Sequence, residues 1–225
     1  TMGTYAVKYV TSSSVCADST TFNVTLTATN TVTVNGTYDI STATYVQDFS
    51  ISSQETTPTD VTFNNDGTKM YVLGDVGDDV NEYNLSTAFD VSTASYVQRF
   101  LVNSQETNPQ GIAFNNDGTK MYITGYNGRD VNEYSLSTAF NVSTASYVQR
   151  FVVSSQETIP SGIAFNNDGT KMFITGWSGD DVNEYSLSTA FDVSSASFAG
   201  NSERFSVGSQ ENVPTGISFN NDGTK

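Results

Sequence analysis

Histidine is absent from the 225-residue chain, and cysteine occurs once, at Cys16. Without histidine there is no Ser-His-Asp or Cys-His catalytic arrangement, no imidazole base and no imidazole metal ligand. A single cysteine excludes an intrachain disulfide, a zinc cluster and a CxxC redox pair. Paired carboxylates could in principle serve as catalytic groups.

Basic residues are scarce: 9 Lys and Arg stand against 24 Asp and Glu, which gives a net charge of −15 at pH 7. Such an acidic surface repels phosphate backbones and anionic lipid, so we expect no nucleic-acid partner. No apolar run reaches about 18 residues, so we expect no membrane insertion.

The chain is rich in aromatic residues, with 14 Phe and 12 Tyr, and 36% of its residues are hydrophobic. β-Branched and aromatic side chains dominate the apolar set, and runs of Leu, Ala, Glu and Lys are missing. This composition supports a buried core and predicts an all-β fold.

One unit is repeated along the chain. The string Phe-Asn-Asn-Asp-Gly-Thr-Lys-Met begins at Phe63, Phe114 and Phe165, and all but its last residue returns at Phe219. The spacing is about 51 residues twice and about 54 once, because residues 199–203 hold an insertion. Repetition at this period indicates duplication of one structural unit.

Alternating apolar residues predict four strands in each unit. In the second copy they are residues 111–114, 120–124, 130–136 and 147–153. An Asp117-Gly118 turn joins the first two, because glycine adopts positive φ at little cost. We place Pro109 in the loop before the first strand, where no ladder donor is needed.

Four short antiparallel strands per repeat are typical of a β-propeller blade. A single blade cannot cover both of its apolar faces, so neighbouring blades must stack. A β-solenoid is the alternative, but it needs shorter coils and fewer hairpin turns. We therefore predict a β-propeller with four-stranded blades of about 51 residues, of which about three are complete.

The repeat also predicts the domain limits. Residues 38–47 match residues 89–98, the run into the fourth strand, so the array begins with an orphan outer strand. Closure of a ring usually needs four to eight blades, so we expect this sequence to be a window from a longer protein. The predicted segments are the orphan strand at 36–52, blades at 53–103, 104–154 and 155–208, and the start of a fourth blade at 209–225.

Residues 109–125 and 160–176, each with an Asn-Asn-Asp-Gly-Thr-Lys hairpin, resemble the YVTN/lactonase-like and NHL-like bacterial propellers. That group often has proline where this chain has Asn65, Asn116 and Asn167. The resemblance covers residues 37–225 and implies the fold. Similar repeats look like those of large secreted or surface-exposed bacterial proteins.

Residues 1–35 do not match the repeat. Two alternating segments, at 3–9 and 21–28, flank a loop that holds Cys16. They resemble the last two strands of an immunoglobulin-like or PKD-like module. The alternative is an extra hairpin that packs on the propeller.

Two repeated sets of carboxylates are candidate ligand-binding residues. Propeller geometry places the loop after the fourth strand and the loop between strands two and three on one face. Hard cations such as calcium prefer oxygen ligands, so a calcium or polar-ligand site is one interpretation. The alternative is that Ser-Gln-Glu-Thr caps a turn, and its recurrence in every copy favours this. The candidates are Glu55, Glu106, Glu157, Asp79, Asp130 and Asp181.

Tyr126 and Trp177 are candidates because they occupy a loop position that differs between copies. Aromatic rings on a constant scaffold suit contacts with a carbohydrate or a surface protein. Drift after duplication explains them equally well.

We predict a non-catalytic binding, adhesion or display module, because near-identical blades provide no unique catalytic constellation. Few basic residues, abundant Ser and Thr and the resemblance to surface modules predict an extracellular or cell-surface location. Two alternatives stay open: a lactonase-like hydrolase with its site in the channel, and a virion or fibre attachment component.

Overall fold

The computed structural model describes residues 41, 43–220 and 223. Its strands form three antiparallel sheets, one for each complete copy of the repeat. The first sheet contains β1 (Pro58–Phe63), β2 (Lys69–Gly74), β3 (Asp79–Leu85) and β4 (Ala94–Leu101). The second contains β5 (Pro109–Phe114), β6 (Lys120–Gly125), β7 (Asp130–Leu136) and β8 (Ala145–Val152). The third contains β9 (Pro160–Phe165), β10 (Lys171–Gly176), β11 (Asp181–Leu187), β12 (Ala196–Phe198) and β13 (Arg204–Ser206).

The predicted hairpin at residues 1–35, with Cys16, lies outside the described residues. None of the helices in the described part is long and apolar enough to cross a membrane. They are single 3₁₀ turns at Val91–Thr93, Val142–Thr144, Val193–Ser195 and Asn201–Glu203.

The four strands predicted for the second copy are confirmed, with one correction at the first. Pro109 is the first residue of β5 and not part of the preceding loop. The ladder between β5 and β6 shifts register between Pro109 and Gly111. The irregular start of the strand accommodates a residue that has no N–H to donate.

The hairpin between β5 and β6 turns at Gly118, which has a φ of 70°. A Cβ atom at this position would lie 2.2 Å from Cδ2 of Phe140, so the aromatic ring packs directly on the glycine. Phe140 itself has a φ of 57°, which is unusual for a residue other than glycine. Its counterparts in the first and third sheets, Phe89 and Phe191, have φ values of 59° and 57°. Glycine is therefore required both by the turn and by the ring above it.

The core lies between the sheets. Tyr71, Leu73 and Val80 of the first sheet pack against Met121 and Ile123 of the second. Tyr122 and Val131, on the opposite face of the second sheet, pack in the same way against the third. The second sheet therefore buries two apolar faces, as expected for a blade stacked between two neighbours.

The first strands of the sheets surround an opening of about 540 Å³, together with residues of the fourth copy. Four-stranded sheets stacked around such an opening have the architecture of β-propeller blades, and the predicted fold class is confirmed. None of the core clusters of the described residues joins the first sheet to the third, so the described array is open.

Asparagine side chains join neighbouring hairpins at one end of this opening. The Asn65 Nδ2 atom donates to the carbonyl of Asn116 at 2.5 Å, and Asn116 Nδ2 donates to the carbonyl of Asn167 at 2.5 Å. These are the positions where the resembling propellers often have proline. A proline could not make this bond, since it has no side-chain donor.

Residues 43–51 form no ladder in the described structure, although they match an outer strand in sequence. Their side chains nevertheless make the contacts of an outer strand. Gln47 donates to Asp90 at 2.5 Å, as Gln98 donates to Asn141 at 2.7 Å. Packing and side-chain hydrogen bonds hold residues 47–51 on the first sheet.

The insertion in the third copy divides the outer strand of the third sheet. Its two pieces, β12 and β13, pair with opposite halves of β11, and residues 199–203 loop out between them. In the fourth copy, Phe219 packs on Phe173 with ring centroids 4.7 Å apart. The carbonyl of Pro214 accepts a hydrogen bond from Ser161 at 2.7 Å.

Candidate functional site

The repeated glutamates lie beneath the loops at one end of the sheets and are buried. Glu106 accepts hydrogen bonds from the N–H groups of Asn108 at 2.8 Å, Asn127 at 3.2 Å and Gly128 at 2.8 Å. Burial raises the pKa of Glu106, and these backbone donors partly offset the effect. The carboxylate thus ties the loop after the fourth strand of one sheet to the loop between β6 and β7.

The same arrangement occurs in the other two sheets. Glu55 accepts from Thr57 at 2.6 Å and Gly77 at 3.1 Å. Glu157 accepts from the N–H groups of three residues at 2.7 to 3.1 Å, namely Ile159, Ser178 and Gly179. These contacts support the turn-capping interpretation of the repeated glutamate.

The repeated aspartates are buried beside the glutamates and are also engaged. Asp130 accepts from Asn132 Nδ2 at 2.7 Å and from Arg150 Nη1 at 3.2 Å. Burial raises the pKa of Asp130, whereas the Arg150 guanidinium acts to lower it. Asp79 makes the same pair of contacts with Asn81 at 2.6 Å and Arg99 at 3.4 Å, and Asp181 pairs with Asn183 and Arg204.

These contacts leave few carboxylate oxygens for a cation. Each glutamate faces backbone N–H groups, and each aspartate faces a guanidinium, which would repel a metal ion. Within the described ranges no group of three or more Asp, Glu, Cys or His side chains is placed to hold a metal. A calcium site stays a prediction that the carboxylates themselves do not favour.

Tyr126 and Trp177 lie at equivalent positions of the loops between the second and third strands. The two residues are 41% and 43% exposed. The N–H of Tyr126 donates to the carbonyl of Asn108 at 3.1 Å, and that of Trp177 donates to Ile159 at 3.1 Å. In the first sheet the position is occupied by Asp75, which makes the same backbone bond. A fixed loop backbone therefore presents a different side chain in each copy.

Polar groups flank both rings. Asn127, next to Tyr126, donates through Nδ2 to Thr107 Oγ1 at 2.8 Å. Ser178, next to Trp177, shares a hydrogen bond of 2.8 Å with Thr158. All four polar side chains lie in the two sets of loops that the buried glutamates join. We call the exposed side chains of residues 75–78, 126–129 and 177–180 the loop face.

One residue of the central opening was missed from the sequence. Asp60 occupies the place of Gly111, Gly162 and Gly216 in the other copies, and it lines the opening. Its carboxylate accepts from the N–H of Ile112 at 2.9 Å, in the next sheet. Burial raises the pKa of Asp60. Aligning the copies would have found it, because it is a charged exception among glycines.

Comparisons with known proteins support the fold. No family model matches the chain, and no curated protein is similar to it. The chain is similar to hydrazine synthase of Kuenenia stuttgartiensis, with 14% identity, a TM-score of 0.52, and coverage of 80% of this chain and 44% of that one.

It is also similar to the periplasmic gluconolactonase of Pseudomonas aeruginosa, with 15% identity, a TM-score of 0.47, and coverage of 67% and 40%. A third similar structure is the β-propeller domain of Cps50 (Swd1) from Myceliophteria thermophila, with 9% identity, a TM-score of 0.43, and coverage of 64% and 42%. The chain spans less than half of the length of these three chains. At such identities the likeness concerns the fold alone.

Proposed function

We propose that the protein is a non-catalytic binding module that contacts carbohydrate through the loop face, with Tyr126 and Trp177 as the main contact residues. One observation carries the proposal. The buried framework of the loops is the same in all three sheets, while the exposed residue that it supports changes from Asp75 to Tyr126 to Trp177. A constant support with variable exposed groups suits recognition better than a purely structural role.

The local chemistry suits a sugar ligand. Flat aromatic rings cover the apolar face of a sugar at low entropic cost, and adjacent amide and hydroxyl groups can bond to its hydroxyls. Asn127 and Ser178 supply such groups beside the two rings. Since the chain carries a net charge of −15, anionic glycans are disfavoured, and neutral or amine-bearing sugars fit better.

In this proposal the buried carboxylates beneath the loop face hold the loops in place and do not contact the ligand. Glu106 and Asp130 are buried and use their oxygens on backbone N–H, amide and guanidinium groups. The repeated carboxylates Glu106 and Asp130 are therefore not presented at the loop face as a free pair for acid–base work. This favours binding over hydrolysis at this end.

An array of neutral, amine-bearing and sulfated glycans tests the proposal with the full chain. We expect retention of neutral or amine-bearing glycans, and Trp177→Ala should weaken it by at least about tenfold, as loss of a central aromatic contact does. Tyr126→Ala should weaken it as well. Tyr147→Ala is the matched control, since Tyr147 is also a tyrosine with 41% exposure but lies on the outer strand β8.

Absence of retention for every glycan would remove the carbohydrate proposal. Retention that Tyr147→Ala reduces as strongly as Tyr126→Ala would place the contact elsewhere. If a surface protein is captured while no glycan is, the partner class is wrong although the loop face can still be correct. An extracellular display or adhesion role is part of the same proposal, and surface labelling of producing cells would test it.

Asp60 favours a second candidate, a hydrolase with its site in the central opening. It is a carboxylate with a raised pKa in a place where the other copies have glycine. Both of its oxygens accept backbone N–H groups, from Val61 and Ile112, which holds them away from a substrate. Hydrolysis of a panel of lactones that Asp60→Asn abolishes would support this candidate over binding alone.

A further inference from the structure

Arg129 is a basic residue of the loop face that has no partner. The other arginines of the chain, Arg99, Arg150 and Arg204, each pair with the buried aspartate of their own sheet. Arg129 is exposed, and within the described residues its guanidinium makes no ion pair or hydrogen bond. Its charge is therefore available to a ligand at the loop face.

The backbone does not account for an arginine at this position. Arg129 has a φ of 52°, and its counterparts Asp78 and Asp180 have φ values of 45° and 50°. Aspartate and asparagine adopt this left-handed conformation more readily than a long side chain does. The three turns thus share one backbone conformation here, and what differs between the copies is the sign of the charge.

In the third sheet, Asp180 shares its loop with Trp177. They are the last and first residues of the four-residue turn between Gly176 and Asp181, which pair in the ladder of β10 and β11. The Cα atoms at the ends of such a turn lie within about 7 Å of each other. Within the described part of the chain the Asp180 carboxylate has no hydrogen-bond or ion-pair partner. An indole ring and a carboxylate both attract a cation, so this loop suits an ammonium group.

In the second sheet, the equivalent positions are Tyr126 and Arg129, in the turn between Gly125 and Asp130. The Arg129 guanidinium repels an ammonium group, but it can donate to the hydroxyl oxygens of a neutral sugar. The net charge of −15 works against an anionic ligand at the same place. This loop therefore suits a neutral sugar.

We propose that the loop face holds two sugar subsites of different specificity. Trp177 and Asp180 bind an amine-bearing sugar, which Asp180 selects by its charge. Tyr126 and Arg129 bind a neutral sugar, and Arg129 excludes the amine. This assignment rests on the proposed function of the loop face and adds which sugar each loop takes. The loop of the first sheet has Asp75 in place of the ring and is not a third subsite of this kind.

Pairs of glycans that differ only in a free or an N-acetylated amine test the assignment with the full chain. Tyr126→Ala leaves loop 177–180 intact, and we expect this variant to bind the amine form at least about threefold more tightly than the acetylated form. Adding Asp180→Asn should remove the preference, because the charge is lost while asparagine tolerates the same φ. The preference should also shrink at high salt, since exposed charges are screened.

Trp177→Ala leaves loop 126–129 intact, and here the acetylated form should bind at least as tightly as the amine form. Adding Arg129→Asp should reverse this order, since the loop then carries the charge of its counterpart in the third sheet. The matched control is Glu203→Gln in the Tyr126→Ala background. Glu203 is exposed in the insertion of the third copy, so this change removes the same charge outside the loop face and should leave the preference unchanged.

An amine preference that survives Asp180→Asn, or that Glu203→Gln reduces as strongly, would overturn the assignment. So would an Arg129→Asp variant that still binds the acetylated form more tightly. In these cases, binding that still depends on Trp177 and Tyr126 would leave the proposed function of the loop face standing. If the unmodified protein retains neither member of any pair, the proposed function falls, and the two subsites fall with it.

Discussion

The Tyr71 hydroxyl donates to the carbonyl of Phe140 at 2.6 Å, across the boundary between the first and second sheets. Tyr122 makes the same bond to Phe191 at 2.7 Å, across the next boundary. The third copy has Phe173 at this position and so has no hydroxyl to donate. The third copy also lacks the glutamine that is present as Gln98 and Gln149 in the first two copies, because the insertion replaces it. Two polar contacts between blades have therefore disappeared together from one copy.

Removal of the Tyr122 hydroxyl should destabilise the protein. We expect Tyr122→Phe to lower the free energy of unfolding in urea by about 1 kcal/mol, the usual net contribution of a buried hydrogen bond. Phe173→Tyr, the reverse change in the third copy, should alter it by less than about 0.5 kcal/mol. Equal stability of Tyr122→Phe and the unmodified protein would show that the bond contributes nothing.

Glu133 is a buried carboxylate that links two blades. Neutralising it should lower the free energy of unfolding more than Tyr122→Phe does. It accepts from Lys120 Nζ at 2.7 Å, Gln149 Nε2 at 2.9 Å and the N–H of Val193 at 3.1 Å. We expect Glu133→Gln to lower the free energy of unfolding by about 2 kcal/mol, since hydrogen bonds to a charged group are lost.

The matched control is Glu184→Gln in the third sheet. Glu184 pairs with Lys171 at 2.7 Å. The described residues include no sheet beyond the third that Glu184 could link to its own. The control should cost less than about 1 kcal/mol, the usual range for a partly exposed pair. A larger loss for Glu184→Gln than for Glu133→Gln would contradict a linking role between blades.

Stability should rise on mild acidification. Burial raises the folded-state pKa of Glu106 above its ordinary 4.5, so the folded protein binds this proton at a higher pH than the unfolded chain does. The free energy of unfolding therefore increases as the pH falls from the raised pKa towards 4.5. Asp130 acts in the same direction. Urea titrations between pH 7 and 4.5 measure this slope.

Glu106→Gln should flatten the slope, whereas Glu211→Gln should leave it unchanged. Glu211 is the exposed counterpart in the fourth copy and accepts from the N–H of Val213. At lower pH an opposite effect begins, because hydrogen bonds from Thr119 lower the pKa of Asp117, and that contribution is lost below its ordinary 3.8. A continuous loss of stability from pH 7 downwards would contradict the prediction.

Repeat length and strand positions could be predicted from the sequence, because they follow from local alternation and turn chemistry. The sequence could not predict which way the Glu106 side chain points, because a carboxylate in a loop can face either solvent or backbone N–H groups. The hydrogen bond from Tyr71 to Phe140 could not be predicted from the sequence either, because it joins residues in different blades. Phe140 has a positive φ that residue propensity does not predict; its ring packs on Gly118 and its N–H donates to the Gly118 carbonyl at 2.9 Å.

Calcium should not stabilise the protein. A site occupied at 100 times its dissociation constant would add about 2.7 kcal/mol to the free energy of unfolding. Because Asp130 faces Arg150 and Glu106 faces backbone N–H groups, we expect EDTA and added calcium to leave the melting temperature within about 1 °C, well below the shift that such a site would cause. A calcium-dependent rise that Asp130→Asn removes would restore the metal interpretation.

The asparagine contacts between hairpins should contribute measurably to stability. Asn116→Ala removes the bond from Nδ2 to the carbonyl of Asn167, and we expect a loss of about 1 kcal/mol in urea unfolding. Asn116→Pro should recover part of this loss, because Asn116 is the second residue of a turn closed by Gly118 N–H and Asn115 C=O, where proline is favoured. Asn65→Ala, which removes the preceding bond, should behave like Asn116→Ala. If both alanine variants unfold at the same urea concentration as the unmodified protein, the bonds do not hold the hairpins together, and asparagine at this position has no advantage over proline.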